Sequence, residues 1–211
     1  MLDGQVFAQL ERFEVDEHGW PGTFKHQVRM PACTYIGFKQ DMLKILPVLQ
    51  SSFHVPLLDT WELINAWHTH GYDWIGICAL QGIHAKVFKL AICGRYKGLL
   101  DMLESRDEVE RLELALSVVK EREVLNGFTI SSGNMRKVPC PNMKVLWLSF
   151  WFVEDERREE ASQWCMEMMD KRRLAGYPIV ECCIWWSRVD QLQKKAASLV
   201  LVLQNEVVRV E

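Results

Sequence analysis

Five side chains that can ligate a soft divalent metal gather in the middle of this chain: His68, His70, Cys78, His84 and Cys93. Imidazole and thiolate are the donors of tetrahedral zinc sites. In an extended segment the imidazoles of His68 and His70 would point the same way. Neither Cys-x-x-Cys nor His-x-x-x-His occurs, so the competing reading is a set of core thiols with hydrogen-bonded histidines. Zinc is the one cofactor these residues suggest. The same stretch offers Cys78 with His70 or His84 as a nucleophile and its base, without a third orienting group in view. Phosphate-cradling glycine loops are absent. The carboxylates at 154–156 and 159–160 read as the solvated start of a helix rather than an acid–base pair. Cys182 and Cys183 are neighbours in a predicted strand, so their thiols face opposite ways and do not share an ion.

The elements that must position these groups follow from local pattern. Residues 1–22 read as a short N-terminal helix or loop, and 23–211 as one domain. Pro31 makes 23–38 an edge strand or a loop between two strands. Apolar positions at helical spacing predict helices over 40–53 and 58–68. Residues 74–80 and 84–93 read as a hairpin turning at Gln81-Gly82. Ser105 with Glu108 forms a capping box that predicts a helix over 106–125, with Val109, Leu112, Leu116 and Val119 as its buried stripe. Residues 144–153 are apolar on both faces, as in a strand covered on both sides. A helix over 155–174 carries acids first and bases last, and a strand over 177–186 completes a β-α-β unit. Leu192, Leu199, Leu203 and Val207 lie on an apolar stripe that predicts a terminal amphipathic helix, closing the core or docking on a partner. No internal repeat stands out. The fold class expected is α+β (mixed α/β), with a Trp-rich, largely buried sheet, the C-terminal β-α-β unit and the terminal helix.

Composition bounds the function. The 211 residues are 49% hydrophobic and 25% charged, which suits a packed domain, and nine tryptophans exceed what a core alone needs. A net charge of −3 gives no basic footprint, so direct nucleic-acid contact is not expected. The first residues lack an apolar signal-peptide region, and no run is long enough for a membrane span. Seven scattered cysteines favour a reducing compartment.

Several fragments carry a resemblance. His70-Gly71-Tyr72 is followed by Trp74 and Cys78. Ser131-Ser132, Met135-Arg136 and the Trp-rich stretch Val145–Phe152 come next, then Ile179-Val180 with Cys182-Cys183. In that order they resemble the early-region-4 34K proteins of adenoviruses. The resemblance implies a non-enzymatic viral adaptor that recruits a host elongin–cullin ubiquitin ligase and pairs with the viral early-region-1B 55K protein. Such adaptors direct host proteins to degradation, promote late viral mRNA export, and act in the host nucleus and also the cytoplasm. An adaptor works by raising effective concentration rather than by chemistry. The other readings are a viral or host protein-interaction module without a ligase role, and an enzyme using Cys78 with a nearby histidine.

Overall fold

Seven residues that are far apart in sequence lie side by side: Arg12, Tyr35, Thr60, Val87, Arg111, Val145 and Glu181. The chain returns to the same level after 23, 25, 27, 24, 34 and 36 residues, each time adding one strand. This is the architecture of a computed structural model that describes residues 6–15, 27–39, 53–66, 84–93, 99–117, 121–129, 138–151, 157–187 and 204–208.

The sheet is built from β1 (Arg12–Val15), β3 (Tyr35–Lys39), β5 (Thr60–Ala66), β6 (Val87–Cys93), β7 (Arg111–Ser117), β8 (Val145–Trp151) and β9 (Glu181–Ser187), all parallel and in chain order. β10 (Gln204–Val208) closes that side, antiparallel to β9. Two short strands, β2 (Val28–Arg29) and β4 (Phe53–His54), pair with each other in parallel within the first two returns. Each lies the same distance ahead of its main strand, so the coil repeats there as well.

One local design recurs from coil to coil. A tight turn precedes the strand, closed by the backbone bonds Leu10 N to Phe7 O, Cys33 N to Met30 O, Leu58 N to Val55 O, Val109 N to Arg106 O and Met143 N to Cys140 O. Pro31, Pro56 and Pro141 occupy the second position of three of these turns, where the ring's fixed φ suits the bend. The carbonyl just before each strand then accepts from the next coil. Glu11 O receives the amides of Thr34 and Tyr35, Thr34 O those of Asp59 and Thr60, and Glu110 O those of Lys144 and Val145.

Strand alternation sends every second side chain to one face. Ile36, Trp61, Phe88, Leu112, Leu146 and Cys182 form one register row, 0–3% exposed. Leu90, Leu114, Leu148 and Ile184 continue a parallel row, equally buried. Each fully buried side chain of this size contributes roughly 1.5–3 kcal/mol, so these rows dominate the cohesion between coils. Short helices cover them: α1 (Leu99–Glu104), α2 (Glu121–Gly127) and α3 (Arg157–Leu174). Leu99, Met102 and Leu103 come from α1, Val124 and Leu125 from α2, and Ala161, Cys165 and Met168 from α3. A Cβ on Gly127 would fall 2.0 Å from Leu100 Cδ1, so glycine permits the close approach of α1 and α2.

One buried cation fastens the long coils. The Arg172 side chain, on α3, is 1% exposed. It donates to Phe128 O at 3.1 Å, Pro139 O at 2.9 Å, Cys140 O at 2.9 Å and Tyr177 O at 3.3 Å. Burial pulls its pKa down, yet a guanidinium stays protonated. Phe128 and Tyr177 follow the C-termini of α2 and α3, where the helix dipole favours a cation. α3 ends in a Schellman turn, with Tyr177 N bonded to Arg172 O, Gly176 N to Arg173 O, and Gly176 at φ 87.

The α+β class expected from sequence holds, with β8-α3-β9 as its β-α-β unit, but the sheet is not covered on both sides: Val145, Trp147 and Ser149 of β8 stay partly exposed. Several details differ. Residues 60–66 and 111–117 are strands, not helices; in the second, Leu112 and Leu116 fit a helical step of four but with Leu114 they also make a two-residue alternation, which neighbouring strands capture. Of the 106–125 helix only α2 at its end survives. β6 pairs in parallel with β5 and β7, so it is not an arm of a hairpin; residues 74–80 lie outside the described set. Residues 204–208 of the terminal amphipathic helix form β10, hydrogen-bonded to β9. Residues 12–15 of the N-terminal segment are the first strand of the sheet. Of the expected helix over 40–53, residues 40–52 lie outside the described residues and Phe53 begins β4.

Replacing Arg172 by Met keeps the length but removes a donor from four carbonyls, of which Cys140 O keeps its bond from Met143 N. Denaturant unfolding should show a loss of about 3 kcal/mol or more, since unsatisfied buried acceptors cost about 1–3 kcal/mol each. Arg172→Lys should recover little of it, because an ammonium does not fork across acceptors as a guanidinium does.

Candidate functional site: the open face of the sheet

The rows between the buried ones point away from the helices. Half-exposed positions alternate with buried ones along β7 and β8, so one whole side of the sheet carries polar and aromatic groups. Register, not sequence proximity, brings them together.

At the β1 end, Arg12 Nε donates to Glu14 Oε1 at 2.7 Å, and the guanidinium lies 3.5 Å from the Tyr35 ring centroid. The Tyr35 phenol donates to Glu62 on β5. Glu62 is level with Gly37, and a Cβ on Gly37 would lie 2.7 Å from Tyr35 Oη. Glycine therefore lets the ring lie flat along β3 and reach the next strand. Burial first, and then the Glu62 bond, push the Tyr35 pKa well above the ordinary tyrosine value. The hydrogen bond to Glu14 raises that of Arg12.

The centre holds two cations around one carboxylate. Glu113 on β7 lies 3.3 Å from Lys89 Nζ of β6 and 2.7 Å from Arg111 Nη2 of its own strand. The Arg111 contact is close but off the hydrogen-bond axis, and the buried Arg111 Nε has no hydrogen-bond partner among the described residues. Its guanidinium stacks 3.7 Å from the Trp147 ring centroid on β8. Trp147 in turn meets Trp185 of β9 at 5.8 Å and 51°, a tilted pair. Trp147 Nε1 and Ser149 Oγ, on the same strand, also have no hydrogen-bond partner. Beside them Cys183 Sγ donates to Glu181 Oε1 at 3.3 Å, and burial pushes the thiol up to about 11.

Two members of the sequence-derived metal set, His84 and Cys93, stand at opposite ends of one strand and do not share an ion. His84 sits at the surface ahead of β6, its Nδ1 3.6 Å from Glu108 Oε1, while Cys93 ends the same strand. Val87–Cys93 alone spans about 20 Å at the usual strand rise of about 3.3 Å per residue, far beyond what a single zinc ion bridges. His68, His70 and Cys78 lie outside the described residues, and no group of three potential ligands occurs among the described ones. The Cys78 nucleophile with His70 likewise falls outside, and His84 faces a carboxylate at the surface. Of the proposed partner-binding stripe, Leu192, Leu199 and Leu203 lie outside the described residues, and Val207 is a β10 position level with Cys183. Cys182 and Cys183 alternate as expected, Cys182 in a core row and Cys183 level with Trp147. The charged cluster of Lys89, Arg111 and Glu113 escapes sequence inspection because it spans two coils. Its only advance signal is the polar member of each alternating pair. The chain matches no protein-family model, no curated protein and no solved structure.

Two outcomes follow from this geometry. Gly37→Ala should force the Tyr35 ring off its strand and lower the pKa of that phenol toward the ordinary value, read as an earlier tyrosinate absorbance rise in an alkaline titration; Glu62→Gln should shift it the same way. Cys183 should resist alkylation in the folded protein near pH 8, with site-resolved mass spectrometry showing labelling only on unfolding. Its folded pKa of about 11 exceeds the ordinary 9.0, so its thiolate opposes folding and stability should decline as pH rises across that interval.

Proposed function

We propose that this protein is a non-enzymatic recognition module, a parallel solenoid of the leucine-rich-repeat type that binds another protein through the open face of its sheet. The observation that carries this reading is the unbroken register of seven parallel strands in chain order. Its rows follow the pattern in which an apolar residue recurs at positions one, four and six of each strand segment: Val109, Leu112 and Leu114, then Met143, Leu146 and Leu148, then Ile179, Cys182 and Ile184. Stacked coils of this kind devote one face to the core and leave the other as a broad, continuous surface. That surface here mixes ion pairs with tryptophans, the residue types enriched where proteins meet.

The adaptor role suggested by the adenoviral resemblance belongs to the same class. Bridging an elongin–cullin ubiquitin ligase to a viral 55K partner, in the nucleus, with degradation and mRNA export as outcomes, is a proposal resting on that resemblance. The fragments at 70–74, 78 and 131–136 lie outside the described residues. Ile179 and Cys182 fill repeat positions that account for them independently, and Cys183 lies on the open face, level with Trp147.

Placing a large charge in the middle of the face tests the reading. Val87→Arg and Val145→Arg, each with an unchanged circular dichroism spectrum, should abolish recovery of the partners cross-linked to the wild-type chain in cells. Met166→Arg, on the exposed side of α3, should leave them intact. Equal recovery by all three variants would move the interaction elsewhere on the molecule.

A further inference from the structure

We propose that the Lys89–Glu113–Arg111 cluster and the neighbouring Trp147–Trp185 pair form a two-part subsite for an extended segment of a partner protein carrying an acidic residue about three positions from an aromatic one. The inference rests on the open face being the binding surface and assigns the chemistry of what binds there.

Charge comes first. Among the described residues Lys89 and Arg111 share Glu113, two cations to one carboxylate, and both side chains are 34% exposed. The Arg111 contact with Glu113 is poorly aligned, so an incoming carboxylate finds exposed ammonium and guanidinium donors that the internal pair does not saturate. Carboxylates stand on both flanks, Glu14 and Glu62 on one side and Glu181 on the other. A single carboxylate is thus drawn to β6 and β7, while a polyphosphate backbone crossing the sheet meets repulsion on both sides. That pattern favours a peptide over a nucleic acid.

Geometry sets the second half. Trp147 is stacked under Arg111 and tilted against Trp185, so the aromatic surface begins where the cationic one ends. From the gap between β6 and β7 to the gap between β8 and β9 is two strand spacings, about 10 Å, or about three residues of extended chain. An aromatic side chain at that offset packs on the tryptophans while the acidic one reaches Lys89 and Arg111.

A random dodecapeptide display library, selected on the whole chain, tests this without knowledge of the natural partner. Recovered peptides should be enriched in Asp or Glu about three residues from Phe, Tyr or Trp. Lys89→Gln should weaken such a peptide about tenfold, the scale of one charge-assisted bond. Glu113→Gln removes the internal competitor and should tighten binding, an effect that a merely structural role for Glu113 would not produce. Peptides that are blocked by Val145→Arg but show no acidic enrichment, or that are indifferent to Lys89→Gln and Glu113→Gln, would overturn the subsite while leaving the face as the binding surface. Binders unaffected by Val145→Arg would overturn both, as would failure to recover any. Selection of single-stranded DNA in place of peptides, with Lys89→Gln weakening it, would overturn the choice of a peptide.

Discussion

The constraint on which everything else depends is that no single coil can bury its own apolar edge. One strand presents two or three core residues and a row of unpaired backbone groups, and neither is satisfied without the next coil. The row through Ile36, Trp61, Phe88, Leu112, Leu146 and Cys182 and the carbonyl ladder at Glu11, Thr34, Glu110 and Lys144 solve both problems at once. Cohesion is therefore a chain of nearest-neighbour contacts, as in other stacked architectures. Register has no freedom, because slipping a strand by one residue would turn its leucines to solvent and its charges to the core.

That economy explains what could be read in the sequence. The helix at 157–174 was legible because its acidic start and basic end announce it. β8 was legible because its apolar run is long. The repeat was not, because the coils differ in length from 23 to 36 residues and no fixed period survives. The row positions also vary in type, with Cys33, Ala85 and Met143 standing where leucine would have given the pattern away. A trace was present: Pro31, Pro56 and Pro141 each precede by four residues the first residue of a strand, with an apolar residue two after the proline and others five and seven after it. Read singly, Pro31 suggests only an edge strand. Read together, the three mark equivalent turns.

The candidate site was hidden for a related reason. The stretch from His68 to Cys93 is rich in metal-binding side chains, and residue type drew attention there. Yet β6 separates His84 from Cys93 by its whole length. The groups that do converge, Lys89, Arg111 with Glu113, and Trp147, come from three successive coils. Sequence reading weighs neighbours along the chain, whereas a parallel stack makes neighbours of residues one full coil apart. Gly37 is the one position where sequence carries a local hint. A glycine in the middle of an apolar strand signals that something lies close above it, here the ring of Tyr35.

The covered side also bears on the open one. Strands stack at about 4.8 Å, but helices need about 10 Å, so α2 and α3, which pack on each other behind the sheet, cannot follow the strand spacing. Their layer must spread relative to the strands. Arg172 holds that spread layer together by joining the carbonyls at Phe128, Pro139 and Cys140 to the turn at Tyr177. The strands in front of it are β8 and β9, which carry Trp147 and Trp185. A buried cation on the covered side thus fixes the backing against which the aromatic half of the open face is set.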